Sequence, residues 1–343
     1  MGVSEHASVP KEEEQDTPEE SGNEIETSAD AVVAALEAAG VEHLFGVQGG
    51  AIMPVYDALY QHGEMNHITM AHEQGAAHAA DAYGIVTGEP GVCMATSGPG
   101  ATNLITGIAD ANMDSDPLIA LTGQVPTDFV GNDAFQETDT IGVTQPITKY
   151  NIFSDDSEAV GKDVGTAWAL ANEGRQGPTL VDLPKDITQM ETDERPGVPE
   201  TPDTYDPPTE ADEVIVDHAA EALAGADRPV ILAGGGVIKG EACEELRDFA
   251  RTYEIPVLTT MPGTGAYPED DDLSQGIAGM HGTGYANLAI SNCDVMFAVG
   301  TRFDDRLTGD IETFAPDAEI IHVDIDPAEI SKNVEADYPL VGD

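Results

Sequence analysis

Short apolar runs that end in glycine-rich turns alternate with longer stretches of helical periodicity along almost the whole chain. That alternation admits few folds. Strands separated by helices pair in parallel, and the crossover helices cover both faces of the sheet. In the first part, SADAVVAALEAAG has a polar start, apolar residues at helical spacing and Gly40 as a stop. VEHLFGVQGG reads as a strand entering a glycine turn, PVYDALYQHG as a helix, HITMA as a strand and EQGAAHAADAYGIVTG as a helix. GVCMATSG, ATNLITGIADANMD and LIALTGQVP continue the series as strand, helix and strand. From near Val214 the same grammar resumes, with strands predicted at 229–233, 256–259, 295–299 and 320–324. The predicted fold class is α/β, with two doubly wound parallel-sheet domains at 27–190 and 214–343. The segment 191–213 is dense in proline and acids and reads as a linker. Residues 1–26 are too polar and charged to bury a core and read as a disordered acidic tail. No repeated motif aligns the two units.

Ligands of open parallel sheets sit outside the carboxyl ends of the strands. Gly49, Gly50, Ser97, Gly98, Gly100 and Gln124 all fall at such ends. Glu73 lies among small apolar residues, with Ala71, Ala76, Ala77, Ala79 and Ala80 nearby and no evident cationic partner. A carboxylate desolvated in that way holds a proton nearer neutral pH. The competing reading is an exposed glutamate in a first helical turn, where acids are common. Gly234, Gly235 and Gly236 close a strand before a helix, so their backbone N–H groups are placed to cradle an anion. A tight turn that simply needs glycine is the alternative. Arg302 and Arg306 are retained in a base-poor chain, which suits an anionic ligand, while pairing with Asp304 and Asp305 is the rival explanation. TSGPG lacks the GxSxG elbow, so Ser97 is no nucleophile. His72 and His78 are not an HExxH pair, and no metal-ligand spacing is seen. Taken alone, Phe135 reads as a core aromatic and Lys185 as a loop cation.

Charge narrows the class further. The chain of 343 residues carries 65 acids against 13 bases, and its first 26 residues hold only nine of those acids and one base. An excess spread so evenly argues against a single binding patch. It fits an all-over acidic surface working in molar salt, where screening removes self-repulsion, and hence a halophilic archaeal source. Nucleic-acid binding is disfavoured, since phosphate contacts need clustered Lys and Arg. No apolar run approaches the roughly 18 residues of a membrane span. The N-terminus has neither a secretory pattern nor, with His6 at the sixth position, a myristoylation pattern. Cys93, Cys243 and Cys293 are scattered and odd in number, which fits a reduced cytoplasm.

Six ordered motifs, GVQGGAIMPVYDALY, HEQGAAHAADAYG, TSGPGATNLITGIADA, LTGQVP, DAFQETD and GPTLVDLPKD, resemble the acetolactate synthase (acetohydroxyacid synthase) large subunit family. The resemblance runs from about Thr27 to the last residue and places the chain within the thiamine-diphosphate-dependent superfamily. It implies a pyrimidine-binding domain followed by a Rossmann-like central domain of FAD-binding type. The implied reaction decarboxylates pyruvate and ligates the two-carbon unit to a second 2-oxoacid, in branched-chain amino-acid synthesis. Glu73 would hydrogen-bond N1′ of the aminopyrimidine, favouring the imino tautomer that removes the thiazolium C2 proton. The backbone of Gly50 would lie near the thiazolium, and Gly49, Ala51, Ser97, Gly98 and Asn103 would complete the thiamine diphosphate side. Phe135 would pack near the reactive carbon, Gln136 would bond the cofactor adduct, and Lys185 would line the substrate channel. GGGVIKG, GMHGTGYAN, RFDDRLTG and HVDIDPAE resemble the family's flavin segments. They imply FAD contacts from Gly235, Gly236, Met280, His281, Gly282, Thr283, Arg302, Asp304, Arg306, Asp324, Ile325 and Asp326. Arg175 would reach the flavin from the first domain.

Gln48 stands where the family usually has Pro, and Ala71 and Ile85 stand where it has Arg. The family continues into a third α/β domain whose GDG…N motif holds Mg²⁺ and, through it, the cofactor diphosphate. Here Gly309-Asp310 is followed by Ile311, so the chain reads as the N-terminal two-thirds of such an enzyme and is expected to be inactive unaided. The resemblance further implies a homodimer or higher assembly, with a small regulatory subunit as a further partner. Two alternatives stay open. One is a non-catalytic FAD- or nucleotide-binding fragment that needs a separate diphosphate-binding chain. The other is a related carboligase or pyruvate oxidase, against which the GMHG and RFDDR strings argue.

Overall fold

The computed structural model describes residues 25–62 and 65–343. The tail predicted at 1–26 therefore lies almost wholly outside the described residues. The chain builds two six-stranded sheets, every strand pair parallel. In the first, β1 (His43–Gly46), β2 (Asn66–Thr69), β3 (Gly91–Ala95), β4 (Leu118–Gln124), β5 (Tyr150–Phe153) and β6 (Pro178–Pro184) lie in the order β2-β1-β3-β4-β6-β5. In the second, β7 (Pro229–Ala233), β8 (Val257–Thr259), β9 (Ser274–Ile277), β10 (Val295–Val299), β11 (Glu319–Asp324) and β12 (Tyr338–Val341) lie in the order β12-β11-β10-β7-β8-β9. Residues 193–212, between the sheets, contain no helix or strand.

Central strands β3, β4 and β6 are buried along their whole length, as parallel strands covered on both faces must be. On one face, α1 (Ser28–Ala38), α2 (Met53–His62) and the helix Val160–Asn172 pack Val32, Leu36, Val55, Val164 and Trp168 against Leu44, Met94, Ile119 and Val181. On the other, α3 (Glu73–Thr87), α4 (Pro99–Asn103) and α5 (Ile105–Asp114) pack Ala76, Ala77, Ala80, Leu104 and Ile108 against Cys93, Leu118 and Leu180. Alanine on α3 allows a close approach, and a Cβ on Gly107 of α5 would come within 2.5 Å of the Ala77 Cβ. The helix α1 starts in a capping box: Thr27 N–H donates to Asp30 Oδ2 at 2.8 Å while the Thr27 side chain accepts from Asp30 N.

Each sheet has a point beside its first strand where strand order reverses, and the first sheet turns back once more, from the edge strand β5 to β6. In the first sheet the chain leaves β1 toward β2 on one side and β3 on the other. In the second it leaves β7 toward β8 and then returns to β10. Crevices at the carboxyl ends of such strand pairs are where open α/β sheets hold ligands. Two clefts therefore follow from topology alone.

Candidate active site

At the β1/β3 crevice, the turn after β1 carries Gly49, Gly50 and Ala51, and Ala51 N–H donates to Thr96 Oγ1 at 3.1 Å. The turn after β3 carries Ser97, buried, and Gly98, with φ +58. Glu73 opens α3, whose N-cap His72 accepts from Gln74 N at 3.1 Å through Nδ1. The Glu73 carboxylate faces the same crevice: Asn103 Nδ2 donates to its Oε2 at 3.0 Å, and Gly100 lies against Oε1. The expected apolar enclosure is not what surrounds Glu73, which is half-buried. Ala76, Ala77 and Ala80 point into the core under α3 instead, and a neutral amide is its partner.

The loop 125–139 brings Phe135 and Gln136 over the Gly98 turn. Gln136 has φ +57, and a Cβ on Gly98 would meet its carbonyl oxygen at 2.4 Å. Phe135 is 86 % exposed, so it is no core aromatic. Three anchors hold this loop. Thr127 donates to Asp186 through N (3.0 Å) and Oγ1 (2.6 Å). Glu137 accepts from Ala134 N at 2.9 Å and from Gly131 N. Gln124 Nε2 donates to Thr138 O and to Asp182 Oδ2, both at 2.9 Å, while its Oε1 accepts from Val125 N at 2.8 Å. Lys185, half-buried, follows at the end of β6 as the first residue of a short helix. Gln48, in the β1 turn, donates to Thr69 Oγ1 at 3.2 Å, and Ile85 is exposed.

Asp182, in mid-strand β6, was not singled out from sequence. It is fully buried, and desolvation pushes its carboxyl up to about 7 from an ordinary 3.8, against the lowering effect of hydrogen bonds from Thr122 (2.7 Å) and Gln124. The folded state therefore holds this proton more tightly than the unfolded chain. The group favours folding below about pH 4, and that contribution is lost as pH rises toward 7. We expect Asp182→Asn to flatten the fall in unfolding free energy between pH 4 and 7 by on the order of a few kcal/mol. Denaturant titrations across that range give the test. Parallel pH profiles for variant and parent would refute the assignment.

The β7/β10 crevice opens into a cavity of about 380 Å³ between the two domains, within the usual range of ligand pockets. Gly235 and Gly236 line it from the turn after β7, Arg302 and Asp304 from beyond β10, and Asp324 and Ile325 from the end of β11. Gly300, with φ +59, must be glycine, because a Cβ there would sit 2.5 Å from the Gly236 Cα. From the first domain Arg175 enters, its Nη1 donating to Asp326 Oδ2 at 2.7 Å and to Glu329 Oε1 at 2.9 Å. Two more cations cross the seam. Lys239 bonds Ser115 O at 2.9 Å and the Asp116 carboxylate, and Arg302 reaches Asp114 at 3.0 Å and the Met113 carbonyl. Burial pushes Asp324 up to about 6 despite Arg175 nearby. Glu329 is 6 % exposed and its Oε2 has no hydrogen-bond partner.

Met280, His281, Gly282, Thr283 and Arg306 do not line this cavity. Met280 and His281 are exposed, and Thr283 caps the helix Gly284–Asn292 by accepting from Ala286 N. Met280 N donates to Arg306 O at 2.7 Å, while the exposed Arg306 guanidinium pairs with Asp305 at 3.2 Å. For Arg306, ion pairing is what the structure has. The expected anion cradle is not free as it stands: Gly234 N and Gly236 N donate to Val299 O and Gly300 O at 2.8 and 3.0 Å, which leaves the guanidinium groups for phosphates and the unpartnered Glu329 oxygen for a hydroxyl. An incoming anion would have to displace the acids now on Arg175 and Arg302.

Two parallel α/β domains, each with a glycine turn at its switch point, define the architecture of a cofactor-binding α/β protein. Residues 26–143 match the family described as "Thiamine pyrophosphate enzyme, N-terminal TPP binding domain", and residues 216–343 match "Thiamine pyrophosphate enzyme, central domain". The chain is 54% identical over 318 residues to the "Probable acetolactate synthase large subunit" of Methanocaldococcus jannaschii, covering 92% of this chain and 54% of that one. It is 50% identical over 318 residues to the "Acetolactate synthase" of Mycobacterium bovis, covering 92% and 51%. With the "Acetolactate synthase large subunit" of Corynebacterium glutamicum it shares 49% over 324 residues, covering 92% and 51%. The chain is a homologue of acetolactate synthase large subunits, carrying the N-terminal and central domain types of thiamine pyrophosphate enzymes. It spans about half the length of the curated relatives it matches.

Proposed function

We propose that this chain supplies the aminopyrimidine half of the active site and the flavin-type central domain of an acetolactate synthase. The substrates are pyruvate and a second 2-oxoacid. One observation carries the reading: a carboxylate, Glu73, stands at the β1/β3 crevice oriented by Asn103. When bound, thiamine diphosphate supplies the carbon nucleophile and electron sink for cleavage beside a 2-oxoacid carbonyl. Glu73 holds a proton at its free carboxylate oxygen against the pyrimidine ring, and Asn103 fixes its direction. The Gly49–Gly50 turn lets a ring approach the backbone. Gly98, Ser97 and Ala51 shape the rest of the crevice. Phe135 is placed to exclude water, Gln136 to donate a hydrogen bond and Lys185 to meet a substrate carboxylate.

FAD would occupy the interdomain cavity, with Arg175 and Arg302 toward phosphate and Asp324 and Glu329 toward hydroxyls. Mg²⁺ would be held by the family's C-terminal domain. A homodimer or larger assembly, a small regulatory subunit and a cytoplasmic location complete the proposal. The test is acetolactate formation from pyruvate with thiamine diphosphate, Mg²⁺ and FAD in molar KCl, with a family-type C-terminal domain supplied. Flavin binding without acetolactate would favour the non-catalytic nucleotide-binding reading.

The formal charge of −52 leads us to propose a halophilic source. The melting temperature should rise steadily from dilute to molar KCl as self-repulsion is screened. A maximum at low salt would contradict it.

A further inference from the structure

Beside the interdomain cavity, which Asp114 of α5 also lines, α3 and α5 pack together with a small acidic groove between them. His78 and Asp81, three residues apart on α3, share one helix face, and Asp110 of α5 stands opposite. His78 Nδ1 and Asp110 Oδ2 are 3.4 Å apart. One ligand-type atom from each of His78, Asp81 and Asp110 lies within 4.8 Å of the other two. Asp81 forms the floor: it is 6 % exposed, and its Oδ1 is buried without a hydrogen-bond partner. Asp110 is exposed at the rim and His78 is half-buried, which leaves a path from solvent.

Charge in this corner is unbalanced. Asp110, Asp114 and Asp116 all act on Asp81. The two basic side chains that reach the corner are already engaged, Lys239 by Asp116 and Arg302 by Asp114. Burial and these neighbours favour a protonated Asp81, which shares a side-chain hydrogen bond with Asp116, while its buried Oδ1 stays without a partner. An ion in the groove would supply both charge and coordination.

We propose that His78, Asp81 and Asp110 form a binding site for a divalent transition-metal ion of the zinc-to-manganese class, clipping α3 to α5. One imidazole nitrogen with two carboxylate oxygens selects borderline ions over Mg²⁺ and Ca²⁺, which take oxygen ligands almost alone. Three protein ligands leave positions for water, as in open sites. The clip would brace the two elements beside the crevice, since Glu73 begins α3 and Asn103 ends the short helix just before α5.

The test uses the whole chain, stripped with chelator and held in molar KCl to screen its diffuse acidity. Calorimetric titration with Zn²⁺ should show one ion per chain and a raised melting temperature, with Mg²⁺ giving neither. His78→Gln and Asp110→Asn should each weaken Zn²⁺ binding by roughly tenfold or more. Asp110 is exposed, so Asp110→Asn keeps the fold and the test does not depend on a buried substitution. No stoichiometric Zn²⁺ binding, equal protection by Mg²⁺, or affinity unchanged in both variants would overturn the proposal.

Discussion

Replacing Glu73 with Gln is expected to lower acetolactate formation by about 10²–10⁴-fold, the usual contribution of a placed proton-transfer group. The amide keeps an acceptor for Asn103 Nδ2, so the crevice should keep its shape and its affinity for thiamine diphosphate. What goes is a carboxylate able to hold and return a proton. Two readouts separate these effects. Thiamine diphosphate binding should change little, while exchange of the cofactor's C2 hydrogen with solvent deuterium should slow in step with turnover. Asn103→Ala should cost less, because it removes only the group that aims Glu73. A Glu73→Gln protein that exchanges and turns over at the parent rate would end the proposed assignment.

Gly98→Ala should be the most damaging single methyl group near the crevice. Gly98 sits at φ +58 with its Cα side pressed on Gln136, where an added Cβ would lie 2.4 Å from the carbonyl oxygen and 2.7 Å from the carbonyl carbon. Those are backbone atoms, so no side chain can swing away. The residue would carry strain of about 1–3 kcal/mol from its conformation. Displacing the loop adds about 1–3 kcal/mol of overpacking. We expect a loss of about 2–6 kcal/mol in unfolding free energy, together with loss of activity as Phe135 and Gln136 move off the crevice. Denaturant unfolding and activity should fall together. A variant with parental stability would show that the loop does not rest on this turn.

Much of the fold was legible because central parallel strands are apolar throughout. Strands predicted at 229–233 and 295–299 match β7 and β10 residue for residue, and 320–324 differs from β11 by one position. The strands not predicted each break that rule for a physical reason. β6 carries a buried aspartate, tolerated because Thr122 and Gln124 donate to it. β9 contains Gly276 and a register shift against β8 at the sheet edge. β12 carries Pro339, which only an edge strand accommodates. β5, the other edge of the first sheet, is half-exposed along its length and shows no clean alternation.

The site was legible where a motif is local. The glycine turns and Glu73 stand at strand ends as the alternation placed them. Pairs that depend on the closed fold were not visible. Asn103 meets Glu73 across 30 positions, and Lys239 meets Asp116 across 123. No periodicity encodes such contacts. The same holds for Asp182, whose donors Thr122 and Gln124 come from another strand.

The parallel ladders also bear on how this protein reaches its native state. Among the described strands there is no hairpin, so no ladder can form until a crossover has closed. Such topologies gain their first stabilising contacts late and fold slowly. Meanwhile all-apolar segments such as LIAL and VMFAV wait unpaired on the nascent chain, ready to stack with copies of themselves. In dilute salt a polypeptide carrying 65 acids repels its neighbours throughout that delay, a repulsion that molar salt screens. At low ionic strength, the excess negative charge that loads the finished fold with self-repulsion thus guards the unfinished one against aggregation.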